Sequence, residues 1–518
     1  MSGIHPSVHA RTTPNKIAYK MVPSGETVTY RELDERSNQG AHLLRALGLE
    51  RGGVIALLLE NHVRYFEIAW AGDRSGLYYT GISSRLTAPE IAYIVEDSGA
   101  SVLFTSRALA DVAKVALESV PGCVGYTVDG PAEGFRDYLA ERSTYPITPI
   151  ADESCGAPML YSSGTTGRPK GVKFDLSQGP IDAMDGLTAI AVKAFNFSAD
   201  MTYLSPAPMY HSAPLRWSMC AQRMGGTVIA MEKFDAEYGL SLIESEAVTH
   251  SQWVPTHFIR MLKLPVEVRT RYDLSSHQLT IHAAAPCPVP VKQAMMDWWG
   301  PIINEFYAGT EFNGLTSTTP QEWLAHPGTV GKATFGTIHI CADDGETELP
   351  ARQEGLIYFS DGTPFVYHND PVKTAEAYNT KGWSTLGDIG WVDEQGYLYL
   401  TDRKSFMIIS GGVNIYPQEI EDAIIGHPKV ADAAVVGAPD DDLGERLVAV
   451  VQPLDWADAG PELAADVQAM LQGTLGKLKI PRQIDFMAEL PRHPTGKLYK
   501  RLLRDAYWEA AKTKAATV

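Results

Sequence analysis

The chain has 518 residues, 45% of them hydrophobic and 20% charged, with a formal net charge of −18. That is enough for about three to four average domains, or one large α/β body with a satellite, and apolar enough to bury a sizeable core. The acidic balance excludes a broad nucleic-acid-binding face, which needs basic residues to neutralise a phosphate backbone, but leaves room for a local basic spot.

In chain order, the first element is announced by Thr29 and Glu32, which have the spacing of a capping box. Leu33, Leu43, Leu44 and Leu47 follow near helical spacing, and Gly48 suits a stop. Val54 to Leu59 is continuously apolar, as in a strand covered on both faces. A helix around Tyr65–Ala71, another after Thr87-x-x-Glu90, and the strand SVLFTS repeat the alternation. Alternating helices and buried strands predict an α/β domain rich in parallel sheet.

The texture changes near residue 391. GWVDEQGYLYLTDR alternates across a turn at Asp393–Gly396 and predicts a hairpin. In YPQEIEDAIIGHPKV, Pro417 suits a first helical turn and Gly426 an end. VADAAVVG and RLVAVVQPL read as strands, and Pro461 to Leu478 as an amphipathic helix. This αββα texture predicts a small α+β domain after a boundary near Asp402–Ser405.

Cys123, Cys155, Cys220, Cys287 and Cys341 lie far apart with no C-x-x-C pair, which argues against a zinc site or disulfide framework and suits a reducing compartment. The opening MSGIHPSVHARTTPNK lacks a charged-then-apolar leader, and no apolar run approaches roughly 18 residues. These features predict a soluble, cytoplasmic protein with no integral membrane segment.

The chemistry concentrates in YSSGTTGRPKGV, residues 161–172. Gly164 and Gly167 let backbone N–H groups approach a ligand closely. Ser162, Ser163, Thr165 and Thr166 add hydroxyls, Lys170 a point charge and Arg168 a planar fork. Together they suit polyphosphate oxygens, although a polar surface loop has the same composition. The lysine follows Gly167 by three residues and precedes Gly171, so the Walker pattern fails and a P-loop kinase or ATPase is disfavoured.

This loop resembles the signature of the adenylate-forming superfamily: acyl-CoA synthetases, luciferase-like enzymes and adenylation domains. Other stretches match that family in order: PMYHSAP (208–214), AAAPCP (283–288), YAGTE (307–311, with Ala308 for the usual glycine), HPGTVGKA (326–333), GWSTLGDIG (382–390), TDRKSFMIISGGVNIYPQEIE (401–421) and PRHPTGKLYK (491–500). The resemblance spans nearly the whole chain. It implies a large N-terminal adenylation domain of packed sheets and helices (1–403) and a small mobile C-terminal lid (404–518). It also implies two half-reactions: a carboxylate attacks ATP to give acyl-AMP and pyrophosphate, then a thiol, coenzyme A first among candidates, displaces AMP.

By the same resemblance, Ser162 to Gly167 and Lys170 grip the departing phosphates, Thr310 meets the α-phosphate and Glu311 holds Mg²⁺. Tyr307 stacks on adenine, with backbone near Ala284 and Ala285 at its edge. Asp388 accepts both ribose hydroxyls, a natural task for a carboxylate, and Arg403 reaches the same region. Lys497 swings in to neutralise charge during adenylation. Ser405 stands at the hinge, where the family usually has Asp or Lys, which puts only the charge-based stabilisation of the hinge in doubt. Gly411 and Gly412 line the pantetheine tunnel, or form a tight turn. His211 sits at the mouth of the acyl pocket as a gate, or is structural.

The pocket stretches supply Trp217, Met219, Trp253, Phe258, Met261 and Phe306, with small residues at Ala283, Ala284 and Ala308. No acidic partner for an amino group stands among them, so a hydrophobic acid is expected rather than an amino acid. Fatty, aryl, terpenoid and steroid side-chain acids all remain open. The alternatives are an enzyme loading a free carrier-protein thiol, since about twenty residues follow Lys497 and none reads as a carrier domain, luciferase-type oxygenation of the adenylate, and a non-catalytic nucleotide binder. Arg446, Lys477 and Lys479 are candidates for the coenzyme A nucleotide, and a homodimer is a candidate assembly.

Overall fold

The computed structural model describes residues 3–162, 169–403, 406–410, 413–440, 443–492 and 498–515. The chain is α/β, ending in an α+β portion, and packs as two compact units. One comprises Met1–Ala283, Met295–Phe312 and Thr363–Ala375; the other comprises Ala284–Ala294, Asn313–Gly362 and Glu376–Val518.

The first unit contains an all-parallel sheet in the order Arg136–Asp137, Val124–Thr127, Ala100–Thr105, Val54–Leu58, Tyr78–Ile82, Ala157–Pro158. Val54–Leu58 is buried throughout because it has a parallel neighbour on each edge and helices on both faces. A second sheet runs Ile303–Tyr307, Leu279–His282, His250–Trp253, Thr202–Ser205, Thr227–Met231, Ile17–Val22, parallel to that point, and closes with Thr27–Thr29 as an antiparallel hairpin. The predicted capping boxes are present. Glu32 Oε2 accepts from the Thr29 backbone N–H and hydroxyl at 2.8 Å each, starting the helix Tyr30–Ala46. Glu90 does the same for Thr87 at 2.8 and 2.7 Å, starting Ala88–Ser98.

Asp73, on the helix Tyr65–Arg74, is buried beside Arg223 at 3.3 Å. Burial pushes its carboxyl up to about 6 against the opposing pull of Arg223. The folded protein therefore keeps a proton that an unfolded chain, at 3.8, has released. The stability tied to this proton is complete below pH about 4 and is lost as pH rises through about 6, a fall of roughly 3 kcal/mol. Asp73→Asn, neutral at every pH, removes that slope. Urea unfolding at several pH values checks it: the variant gains on wild type between about pH 4 and 6.5, and parallel curves would contradict the assignment.

The second unit holds an antiparallel sheet in the order Thr337–Cys341, Gly355–Ser360, Ser384–Val392, Leu398–Arg403, Thr329–Phe335, Leu315–Thr318. The predicted hairpin is the pair Ser384–Val392 and Leu398–Arg403, closed by Gly396 N–H donating to the Asp393 carbonyl at 3.0 Å. Its C-terminal part pairs Val430–Asp440 with Gly444–Pro453, joined by Ile408–Ser410, Val413–Ile415 and Gln483–Phe486. The helices Pro417–Ile425 and Pro461–Thr474 and the sheet share a core that includes Ile420, Ile424, Val435, Ala449, Val467 and Leu471. The last of these helices ends at Thr474, short of the predicted Leu478. Gly473 and Gly476 flank that point, Leu475 turns extended (φ −120°, ψ 154°), and a short 3₁₀ turn, Lys477–Lys479, follows.

Candidate active site

In the first unit, the strand Ile303–Tyr307 delivers the YAGTE segment at its carboxyl end. Such ends open onto ligand crevices in parallel sheets. Phe306 is buried, Tyr307 through Thr310 are half-buried, and Glu311 is buried again. Phe312 N–H donates to the Gly309 carbonyl at 3.1 Å, and Phe312 itself sits at φ 49°. A bulky residue in that left-handed region costs of order 1–3 kcal/mol, and such strain collects at functional sites. The Glu311 carboxylate accepts a hydrogen bond from the Tyr367 hydroxyl at 2.9 Å.

Lys170 begins the strand Lys170–Lys173, which pairs antiparallel with Leu160–Ser162 on one side and Val366–Tyr367 on the other. Lys170 is directly opposite Ser162, so the two ends of the predicted phosphate loop are cross-strand partners. Ser163, Gly164, Thr165, Thr166, Gly167 and Arg168 lie outside the described residues. The Lys170 ammonium lies over the Tyr367 ring, 4.5 Å from its centroid. One tyrosine thus touches the residues predicted for the metal and for the phosphates.

His211 is the N-cap of the helix Ser212–Met224, in extended backbone, with its ring edge-on to Tyr210 at 4.4 Å. Burial pushes the Tyr210 phenol above its ordinary range. On the same helix Trp217 packs at 5.2 Å from Phe195, 5.6 Å from Phe197 and 5.4 Å from Phe306. Trp217 and Phe306 therefore belong to one aromatic group. Trp253 belongs to a different one: it is fully buried, donates to Ser251 Oγ at 2.6 Å, and packs against Phe234, His257 and Trp299. Ala308 follows the strand that carries Phe306 and is half-buried.

In the second unit, Asp388 is buried on Ser384–Val392, directly opposite Arg403 on the neighbouring strand. The register slips just beyond, between Ile389 and Gly390, a bulge of the kind that re-aims side chains. Gly390 is required there: a Cβ would meet the Tyr399 carbonyl oxygen at 2.3 Å. Ala284 and Ala285 are exposed, and Ala284, a predicted site residue, is held at φ 78°, strained for a non-glycine residue. The side chains of Ser162 and Arg403 lie outside the described residues, as do Ser405, Gly411, Gly412 and Lys497 altogether.

Two residues missed by the sequence reading stand out. Tyr367 contacts both Glu311 and Lys170, and the Arg216 guanidinium lies 5.1 Å from the centroid of the Phe312 ring. Nothing in PFVYHNDP marks Tyr367, because its importance comes from strand pairing across the chain. Among the described residues no group of three or more His, Cys, Asp or Glu side chains forms a metal-holding cluster. No described helix is long and apolar enough to cross a membrane.

Residues 7–365 match the family model of AMP-binding enzymes, and residues 419–497 match that of the AMP-binding enzyme C-terminal domain. The chain is 32% identical to the long-chain-fatty-acid–CoA ligase FadD13 of Mycobacterium tuberculosis, covering 96% of this chain and 97% of that one. It is 31% identical to the fatty acid–[acyl-carrier-protein] ligase ScoC of Streptomyces coeruleorubidus, over 97% and 95% of the two chains. Among solved structures, ATP-bound MatB from Rhodopseudomonas palustris superposes with a TM-score of 0.82 at 28% identity, covering 97% of this chain and 99% of that one. The chain belongs to the AMP-binding enzymes of the adenylate-forming superfamily. Within that superfamily it is an AMP-forming acid–thiol ligase of the acyl-CoA synthetase type.

Proposed function

We propose that the protein activates a hydrophobic carboxylic acid with ATP and passes the acyl group to coenzyme A. A carboxylate oxygen attacks the α-phosphorus, the bond to pyrophosphate breaks, and acyl-AMP forms. The coenzyme A sulfur then attacks the acyl carbon, and AMP leaves. The observation that carries the reading is the buried Glu311 carboxylate beside Thr310, joined through Tyr367 to Lys170. An acidic and a basic group flank one point, as positioning and neutralising a transferring phosphoryl group requires.

Glu311 would hold Mg²⁺. One carboxylate completed by phosphate oxygens and water is a donor set magnesium takes, and it neutralises phosphate charge when bound with ATP. Lys170, with the 162–167 loop, receives the pyrophosphate, and Thr310 donates to the α-phosphate. Tyr307 is assigned to stacking on adenine, the backbones of Ala284 and Ala285 to the adenine edge, and Asp388 with Arg403 to the ribose. Lys497 supplies the cation between carboxylate and α-phosphate. His211 gates the pocket, and Gly411 and Gly412 pass the pantetheine arm. A rotation about Ser405 separates an adenylation domain (1–403) from a lid (404–518). The Trp217–Phe306 group beside Ala308 supports an apolar acyl tail.

A carrier-protein thiol is the second reading, favoured by the similarity to the acyl-carrier-protein ligase. Offering coenzyme A and a phosphopantetheinylated carrier protein side by side, with mass spectrometry of both products, decides between them. Acyl-CoA as the main product is expected. Acylation of the carrier alone would replace the first reading by the second.

A further inference from the structure

We propose that Tyr367 is a positioning residue for adenylation, setting Glu311 and Lys170 against the same magnesium-bound triphosphate. The inference rests on the functional reading above and adds a residue to it. Tyr367 is buried, so its hydroxyl and ring are not spent on solvent. The hydroxyl donates to Glu311 Oε1 at 2.9 Å, which fixes the carboxylate and leaves its other lone pairs for a cation. The ring carries the Lys170 ammonium at 4.5 Å, an attraction of the cation for the ring face that strengthens with desolvation.

The backbone explains why the ring stands there. Tyr367 is directly opposite Val172 in the antiparallel pair, and Lys170 shares Val172's face of its strand two residues away. The next turn locks the strand end: Tyr367 N–H donates to Thr374 Oγ1 at 2.9 Å, and Asp370 N–H donates to the Tyr367 carbonyl at 3.2 Å. Phe365 packs edge-on to the ring at 5.3 Å. A tyrosine serving only this small sheet would need the ring but not the hydroxyl.

The test uses the whole enzyme, with MgATP and AMP as calorimetric probes and pyrophosphate release titrated with Mg²⁺. Tyr367→Phe keeps the ring and removes the donor. It should weaken MgATP binding by about tenfold, the usual effect of losing a hydrogen bond to a charged group. It should also raise the Mg²⁺ concentration for half-maximal release, while AMP affinity and the melting temperature stay near wild type. Tyr367→Leu, which also strips Lys170 of its ring, should weaken MgATP binding further. In the Glu311→Gln background, Tyr367→Phe should add little, because the two act as a unit. Equal losses for MgATP and AMP, no change in either, or full additivity with Glu311→Gln would overturn the inference. Failure of the wild type to bind MgATP would overturn the functional reading with it.

Discussion

Lys497→Ala should lower acid-dependent pyrophosphate release by about 10²–10³-fold, equivalent to about 3–4 kcal/mol of barrier, and leave conversion of supplied acyl-AMP to thioester near wild type. Two anions, the acid's carboxylate and the α-phosphate, must approach within bonding distance, and an ammonium between them relieves the repulsion where it is greatest. Once acyl-AMP exists that repulsion is gone, so the second half-reaction has no use for the cation. A lone lysine near a C-terminus is ordinarily a solvated surface charge, which predicts no change in either half-reaction. Measuring the halves separately distinguishes the roles. Equal losses in both would point to damage to the lid rather than to a lost cation.

Glu311→Gln is expected to cost on the order of 10²-fold in adenylation, because a bound Mg²⁺ would lose the anionic oxygen assigned to hold it, and loss of one such charged contact costs about 3 kcal/mol. The amide keeps the side chain's shape and can still accept from the Tyr367 hydroxyl, so the loss reports charge. Its signature is a shift in Mg²⁺ dependence, which Lys497→Ala should not show, since the role proposed for that lysine is at the α-phosphate rather than at the metal. A Mg²⁺ titration of pyrophosphate release for both variants tests the contrast. Glu311→Gln within twofold of wild type, with an unmoved Mg²⁺ midpoint, would remove Glu311 from the site.

Much of this was legible in the residues. Thr29 with Glu32 and Thr87 with Glu90 announce helices because the capping interaction is local, three residues apart. The apolar run at Val54 announces a doubly covered strand, and Asp393–Gly396 a hairpin, for the same reason of short range. What depends on long-range pairing was not legible. Tyr367 matters because its strand lies beside Lys170–Lys173, nearly 200 residues earlier, and no local pattern encodes that neighbour. Trp217, Phe306 and Trp253 were recognisable as bulky and apolar, but their division into two groups follows from which strand and helix carry each. The strain at Ala284 and Phe312 was equally hidden, since neither residue type advertises a left-handed backbone.

Formation of an acyl adenylate is the step on which the proposed function depends. Its most direct test is to incubate the wild-type enzyme with MgATP and a panel of fatty, aryl, terpenoid and steroid side-chain acids, without thiol, and to analyse the products by mass spectrometry. Acyl-AMP and pyrophosphate are expected in equal amounts from one hydrophobic class, with thioester and AMP appearing only when coenzyme A is added. ATP left intact with every acid, or cleaved to ADP and phosphate, would contradict the proposed function.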